Sequence, residues 1–392
     1  MIVASAFSGR LRGFNIIVTF LSFLDTPLLV PIVALYASGL GAEVTTIGLI
    51  VGVYSLTNTV ASVVGGRLVD RFGAKWPLIG GLAGDALAMF AYSLARLPWH
   101  LALVRGFHGL GGGVVGPATM SITAETSAQH RRGRGMATYG MAIGMATLLG
   151  NAGGGIIGAR LGYDYVFFLG GALLIVAFNL AVFMGGGQVR RTVTKRRFGE
   201  DLRRTGQLLT SGKLRLPYWS IFAQYFAFGA IVTLLPLHLR SLDLTSLHFS
   251  VLLASFAVVF VVVLLVFGHL SDSIGRVKPA ALGIALAGAG VVTLPLSGTL
   301  PLMIGSMVLF GVGYGLFFPS LSALVADVTS PEEYGRATGL YHALLTVGVA
   351  LGAPVMGWAA SFLGTQLGLA LSGIPLLVAL GLAVGRLGRK QS

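Results

Sequence analysis

The chain contains no cysteine and very little charge, and each shortage excludes a class of protein. None of its 392 residues is cysteine, which excludes disulfides, thiol catalysis and thiolate metal sites. Only 10% of the residues are charged, whereas soluble domains carry about a quarter. With 55% hydrophobic residues and a mean hydropathy of +0.86, the chain cannot cover a water-exposed surface. We therefore expect lipid around most of it.

The sequence also lacks the motifs of catalysis and cofactor binding. No nucleotide-binding loop, metal-ligand cluster or nucleophile triad appears. The glycine-rich stretch at 109–116 lies within an apolar run and lacks the Lys-Ser/Thr that ends a phosphate loop. The net charge of +14 sits in short stretches between apolar runs, which argues against nucleic-acid binding. We predict no enzyme activity, no cofactor, no metal and no nucleic-acid partner.

Apolar runs predict twelve transmembrane helices. Each run can provide the roughly 20 residues that a crossing needs, and open strands cannot satisfy their backbone in lipid. With the N-terminus inside, 23 of the 27 Lys and Arg residues fall in cytoplasmic segments. This predicts an all-α, multi-pass protein of the cytoplasmic (inner) membrane with both termini cytoplasmic. The runs lie near 14–38, 45–67, 76–95, 99–123, 135–159, 164–184, 217–240, 247–268, 277–297, 300–324, 336–361 and 365–386.

A basic segment divides the runs into two sets of six. We predict an N-terminal bundle at 1–184, a cytoplasmic linker at 185–216 and a C-terminal bundle at 217–392. Apolar positions in the linker would suit a short helix on the membrane surface, with basic residues facing anionic lipid. We expect the lipid bilayer and a small-molecule substrate as partners, and a monomer. The apolar positions of the linker are Phe198, Leu202, Leu208 and Leu209.

The two halves repeat at an offset of 202 residues. Matches of Asp, Arg, Pro and Tyr at one unchanged offset are harder to obtain by chance than matches among 58 glycines. Because six is an even number of crossings, the repeats are parallel, and one half can rock against the other in alternating access. The matched pairs are Gly66/Gly268, Leu68/Leu270, Asp70/Asp272, Gly73/Gly275, Pro117/Pro319, Arg134/Arg336 and Tyr139/Tyr341.

The repeated loops resemble those of the major facilitator superfamily, and the resemblance covers essentially the whole chain. The segment 66–75 is similar to its signature loop between helices 2 and 3, and 268–278 to the degenerate copy between helices 8 and 9. The segment 105–109 resembles the motif that places an arginine in helix 4. Residues 24–31 are similar to helix 1 of twelve-helix drug/proton antiporters, although Asn151 replaces the proline of their helix 5 pattern. The resemblance implies the major facilitator fold and proton-driven efflux.

Three charged residues fall within the predicted membrane spans of the first half. Asp25 lies about 11 residues, or roughly 16 Å, into helix 1, where an ionisable group is functional by default. A structural ion pair or a kink beside Pro27 is the alternative. In the superfamily, helices 1 and 4 line the central cavity, so Arg105 is expected to communicate with Asp25. Asp85 on helix 3 is either a second proton site or a polar packing contact. We assign proton coupling to these three charges.

Charges at the cytoplasmic helix ends indicate a gate. Asp70 and Asp272 recur at matched positions, and a carboxylate there can interact with the positive end of a neighbouring helix. They would latch the inner gate, with Arg134 and Arg336 completing each latch and Glu125 and Asp327 as counter-charges; a solvated loop charge is the alternative. The predicted gate residues are Gly66, Asp70, Arg71, Gly73, Arg134, Asp272, Gly275 and Arg336.

Polar and aromatic residues in the spans are candidates for substrate binding, although each alone is more often a helix–helix contact. The aromatic residues of helices 1 and 7 suit a lipophilic or flat substrate. With Asp25 as the proton site and the resemblance to drug/proton antiporters, the leading hypothesis is proton-coupled efflux of amphipathic, drug-like molecules. Two alternatives stay open: uptake or exchange of a small polar or anionic metabolite held by Arg105, and lipid translocation without proton coupling. The substrate candidates are Phe23, His108, Asn151, Gln224, Tyr225, Tyr314 and His342.

Overall fold

A computed structural model of the chain describes residues 2–126, 132–184, 198–267 and 270–388, which contain helices and no strand. The chain forms two compact units. Unit 1 consists of Met1–Ala42 and Val53–Thr194, and unit 2 of Glu43–Gly52 and Lys195–Ser392. The predicted all-α fold is confirmed. The predicted domain borders at 184 and 216 stay an interpretation of the charge pattern, because residues 185–197 lie outside the described part.

Unit 1 begins with a membrane crossing that is broken. Its pieces α2 and α3 meet at an angle of 45° beside Pro31, which has no N–H to donate to a continuous helix. A separate interruption at residues 23–24 sets Asp25 at the first position of a short helix rather than in mid-helix. The helices are α1 (Ile2–Ser22), α2 (Asp25–Leu29), α3 (Val33–Gly39), α4 (Val44–Phe72), α5 (Lys75–Tyr92), α6 (Pro98–Thr126), α7 (Arg132–Arg160) and α8 (Tyr163–Phe183).

Apart from Glu43–Gly52 at the start of α4, the first helix of unit 2 is the one expected in the linker. This helix, α9 (Phe198–Thr210), packs against α10 and α15, and its Leu208 is buried. The membrane crossings follow it. The further helices are α10 (Arg215–Arg240), α11 (Ser246–Phe267), α12 (Leu270–Ile274), α13 (Val277–Thr293), α14 (Leu300–Val328), α15 (Pro331–Leu371) and α16 (Ile374–Gly388).

Twelve membrane crossings follow from the helices. Eight described helical stretches are long and apolar enough to span a membrane, and the bent first crossing is a ninth. The last stretch, Arg336–Gly388, has 53 residues and breaks at Gly364, so it crosses twice. The helices α5 and α6, which carry Asp85 and Arg105, complete the predicted twelve.

The backbone shows the 202-residue repeat independently of side chains. Among the described residues, six have positive φ, a region that glycine adopts freely and aspartate tolerates. Turns at the same places in both halves therefore require the same unusual conformation. The six residues form three pairs at the repeat offset, with φ in brackets: Gly41 (85°) and Asp243 (56°), Gly73 (79°) and Gly275 (85°), Gly162 (105°) and Gly364 (81°).

Glycines let helices approach closely in both units. In unit 1, a Cβ atom on Gly154 of α7 would lie 2.0 Å from the carbonyl oxygen of Leu28 on α2. In unit 2, a Cβ atom on Gly352 of α15 would lie 2.1 Å from the carbonyl oxygen of Phe226 on α10. Contact at small residues is how helices pack tightly in lipid.

Gly154→Ala tests this packing, because the added methyl overlaps the Leu28 carbonyl and must separate α2 from α7. We expect a clear fall in melting temperature, since overpacking costs about 1–3 kcal/mol. Gly144→Ala is the matched control on the same helix, where a Cβ meets nothing within 4 Å. Thermal unfolding of both variants in detergent measures the difference. Equal stability of the two would contradict the close approach.

Candidate functional site

The core of unit 1 buries four ionisable side chains together. Asp25, Asp85, Arg105 and His108 are 4%, 1%, 3% and 0% exposed. They come from α2, α5 and α6. Asp25 is oriented by the start of α2, where its carboxylate accepts the backbone N–H of Thr26. Such burial of charge is costly unless the groups satisfy one another.

A chain of hydrogen bonds links three of these four groups. The Oδ2 atom of Asp25 lies 2.8 Å from Nε2 of His108. The other ring nitrogen, Nδ1, lies 3.1 Å from the hydroxyl of Tyr92, which also accepts a long hydrogen bond of 3.4 Å from Arg105. Asp25 and Arg105 therefore communicate through His108 and Tyr92. His108, proposed from the sequence as a substrate contact, belongs to this cluster instead of standing alone.

Tyr54 covers the cluster from α4. Its hydroxyl lies 2.8 Å from that of Thr26, and the Arg105 guanidinium lies 4.7 Å from the centre of its ring. That cation–π contact partly replaces the water that Arg105 has lost. Sequence reasoning missed both tyrosines, because nothing in their spacing distinguishes Tyr54 or Tyr92 from the other aromatic residues of the spans.

The carboxylate of Asp85 is buried, and its hydrogen-bonding capacity is not satisfied in the described part of the chain. Neither oxygen has a hydrogen-bond partner among the described residues. The backbone N–H of Gly112 is directed at the carboxylate without the geometry of a hydrogen bond. A Cβ atom on Gly111 would lie 2.2 Å from Oδ1 of Asp85, so only glycine leaves room for this side chain. The glycine-rich stretch of α6 thus makes space for a carboxylate, a role that the sequence did not reveal.

The cluster also holds three potential metal ligands. One ligand atom each from Asp25, Asp85 and His108 lies within 4.8 Å of the others. The spacing of these three residues in the sequence does not predict a metal site, because they lie on three different helices. However, the 2.8 Å between Asp25 and His108 is shorter than the roughly 3.3 Å that separates neighbouring ligands around a tetrahedral zinc ion. The observed geometry therefore suits a shared proton better than a bound metal.

Unit 2 has an apolar core at the matched positions. Adding the repeat offset to Asp25, Asp85, Arg105 and His108 leads to residues that carry no charge and are all buried. The ionisable cluster is therefore a property of unit 1 alone. The matched residues are Ala227, Ala287, Met307 and Phe310.

Unit 2 instead contains a group of stacked aromatic rings. The hydroxyls of Tyr225 and Tyr314 lie 3.0 Å apart, and the Tyr314 ring stacks on Phe260 with 4.6 Å between centroids. Beside Tyr225, Gln224 is buried, and its Oε1 has no hydrogen-bond partner in the described part of the chain. Of the predicted substrate residues, Tyr225 and Tyr314 are therefore in contact, and Gln224 precedes Tyr225 on α10.

The other substrate candidates are dispersed. Phe23 meets Tyr139 edge-on at 6.4 Å between ring centroids, and Asn151 is buried in α7. In unit 2, His342 is partly exposed beside Tyr341, with 6.0 Å between ring centroids. A role of these residues in substrate binding stays a prediction.

The predicted gate differs between the units. In unit 2, Arg276 bridges Asp272 and Asp327, donating from Nε to Asp327 over 2.8 Å. These two hydrogen bonds raise the pKa of Arg276, that to Asp327 most, so it stays charged at any physiological pH. The residue matched to Arg276 in the first half is Ala74, so the repeat of charges does not single out Arg276. Arg336, the expected cation, is partly exposed at the start of α15.

In unit 1, the corresponding loop is held at other points. Lys75 donates to the carbonyl oxygen of Met184 over 2.7 Å, and Arg71 lies over the Phe72 ring. Asp70 is exposed and makes no ion pair with the described side chains, which do not include that of Arg134. A latch through Asp70, Gly66 and Gly73 therefore stays a prediction.

Comparison with known proteins identifies the class. The sequence profile of the Major Facilitator Superfamily matches residues 16–245 and 217–391, and the chain belongs to this family of transporters. An uncharacterized MFS-type transporter of Methanocaldococcus jannaschii is 25% identical over 89% of this chain and 90% of its own. The quinolone resistance protein NorA of Staphylococcus aureus is 29% identical over 44% of this chain and 43% of its own.

A solved structure shows the same fold. The bacterial homolog of the human lysosomal transporter Spinster has a TM-score of 0.83, covers 96% of both chains and is 13% identical. The chain is thus a multi-pass membrane transporter with the twelve-helix major facilitator fold, and it is not an enzyme.

Asp85→Ala tests whether the unpartnered carboxylate stabilises the fold. We expect a melting temperature equal to or above that of the wild type, because the change removes an unsatisfied buried group. His108→Ala is the comparison, since it deprives Asp25 and Tyr92 of a partner and should cost about 1–3 kcal/mol. Both are measured by thermal unfolding in detergent. If Asp85→Ala is the less stable of the two, Asp85 is a structural contact.

Proposed function

We propose that the protein is a proton-coupled antiporter that exports amphipathic small molecules, with its proton site at Asp25, Asp85 and His108. The observation that supports this most is the buried cluster of unit 1, which contains a carboxylate with no partner among the described residues. An ionisable group inside a transmembrane bundle is rare and usually marks an ion pathway.

The charges of the cluster favour one exchangeable proton. With His108 neutral and both carboxyls ionised, Asp25, Asp85 and Arg105 carry two negative charges and one positive. An uncompensated charge in the interior costs several kcal/mol. One proton, shared by Asp25, Asp85 and His108, makes the cluster neutral. The bond between Asp25 and His108 gives that proton a defined location.

Loss of the proton has a mechanical consequence. Ligand atoms of Asp25 and Asp85 lie within 4.8 Å of each other, so two ionised carboxylates repel strongly in this environment. The repulsion acts between α2 and α5 and weakens the packing around α6. Protonation thereby changes the relative stability of the conformations of unit 1, which is what coupling to a gradient requires.

The aromatic group of unit 2 supports a flat, lipophilic substrate. Stacked rings with a pair of tyrosine hydroxyls offer apolar area with a few polar contacts, as small-molecule sites commonly do. We assign Tyr225, Tyr314 and Gln224 to substrate binding. The likeness to NorA, which is named for quinolone resistance, supports the same class of substrate.

The gate is proposed at the helix ends that the charge pattern assigns to the cytoplasm. Arg276, Asp272 and Asp327 would hold this end of unit 2 in one conformation, and Asp70 with Arg134 would act in unit 1. Exposed ion pairs contribute little stability individually. A latch of this kind can therefore open during each cycle.

Asp25→Asn in proteoliposomes is the principal test. We expect transport of a quinolone driven by an imposed pH gradient to fall to background, because asparagine cannot exchange a proton. Exchange of labelled for unlabelled quinolone without a gradient should persist. Asp164→Asn is the matched control, since Asp164 is an exposed carboxylate at the start of α8. Undiminished pH-driven transport by Asp25→Asn would remove Asp25 from the mechanism.

The same assay separates the alternatives. Inward transport of a nucleoside or an organic anion under the same gradients, with none of a quinolone, would favour uptake of a polar metabolite. Translocation of a fluorescent phospholipid without proton flux would favour a lipid-moving protein. Loss of both driven transport and exchange in folded Asp25→Asn would make Asp25 a substrate contact.

A further inference from the structure

The beginning of α10 and the end of α16 enclose a cavity of about 410 Å³. Three cationic side chains line it, from Lys213, Arg215 and Arg386, and the described part of its lining includes no carboxylate. None of the three forms an ion pair with a described residue. Within the described chain, the positive charge of the cavity therefore has no ion-pair partner.

Arg386 and the start of α10 shape the positive end of the cavity. An Nη1 hydrogen of Arg386 is donated to the carbonyl oxygen of Lys213 over 2.9 Å, which fixes the guanidinium beside the two other cations. The helix α10 begins at Arg215, and the N-terminus of a helix adds a partial positive charge. Three cations and a helix end together are complementary in sign to a phosphate group.

Glycine keeps the rest of the cavity open along α16. A Cβ atom at Gly381 or Gly385 would meet nothing within 4 Å, and the spacing of four residues places both on one face. Apolar side chains near them are exposed, with Leu377 at 56% and Val384 at 57%. In a membrane protein such side chains contact lipid. The positive end therefore continues into an apolar groove.

We propose that this cavity binds an anionic phospholipid, with its phosphate on Lys213, Arg215 and Arg386 and an acyl chain along Gly381 and Gly385. The combination of a cationic end and an apolar groove is complementary to an amphipathic anion rather than to free phosphate. The charge pattern assigns this end of unit 2 to the cytoplasm, where basic pockets meet anionic headgroups. Binding would join the end of α16 to the start of α10 and stabilise unit 2.

The first experiment removes the cations. Native mass spectrometry of the full chain with phosphatidylglycerol or phosphatidylethanolamine measures lipid retention. We expect wild type to retain phosphatidylglycerol selectively, and Lys213→Gln/Arg215→Gln/Arg386→Gln to bind it roughly a hundredfold more weakly, since each cation contributes about fivefold. The matched control removes three exposed cations from the opposite helix ends: Arg96→Gln/Arg160→Gln/Arg240→Gln.

The second experiment fills the groove and leaves the cations. Gly385→Leu should weaken phosphatidylglycerol retention, while Gly305→Leu, at another exposed and open helix glycine of unit 2, should not. Inorganic phosphate at millimolar concentration should fail to displace the lipid from wild type.

Three results would overturn the proposal. These are selective retention by the triple variant equal to that of wild type, an equal loss of retention in the outer control, and displacement of the lipid by inorganic phosphate. Folding of each variant is verified by its melting temperature. Added phosphatidylglycerol should raise the melting temperature of wild type and leave that of the triple variant unchanged.

Discussion

The cost of holding ionisable groups inside an apolar bundle governs how unit 1 is built. The break before α2, the glycines of α6 and the two tyrosine hydroxyls each reduce that cost at one point of the cluster. His108 satisfies Asp25 at 2.8 Å, and the Tyr54 ring faces Arg105. Asp85 is left without a hydrogen bond in the described part of the chain. A bundle selected only for stability would replace it by an apolar residue, as the second half does with Ala287.

The two halves share the backbone features that the fold requires and differ in the side chains of their cores. Both have left-handed residues at the same three turns, and both use glycine for a close helix contact at Gly150 and Gly352. These features depend on the backbone, so the same requirement acts in each half. Buried side chains are free of that requirement once packing is satisfied. One half has become a polar cluster, and the other an aromatic core.

Much of the fold could be predicted from sequence, because lipid imposes strong rules on length and polarity. The twelve spans and the repeat followed from apolar runs and from pairs such as Asp70 and Asp272. Because a charge inside the membrane is energetically costly, the positions of Asp25 and Asp85 within apolar spans also marked them as candidates. The hydrogen-bond partners of these charged residues could not be predicted. His108 is 83 positions from Asp25, and no spacing rule links residues on separate helices. The ion pairs of Arg276 could not be predicted from the repeat either, because its counterpart in the first half, Ala74, is uncharged.

The asymmetry between the units limits how a proton can affect a substrate. The core of unit 2 carries no ionisable group at the positions matched to the cluster, so a pH gradient cannot act on those positions directly. In the proposed mechanism, a proton bound near Asp25 would act on substrate binding at Tyr225 and Tyr314 through a change in helix packing. Such coupling requires the proton to bind two conformations with different affinity. In the proposed mechanism Asp85 would provide that difference, because its carboxylate lies close to Asp25 and has no hydrogen bond in the described chain, so its charge favours a conformation that brings it a proton, a cation or water.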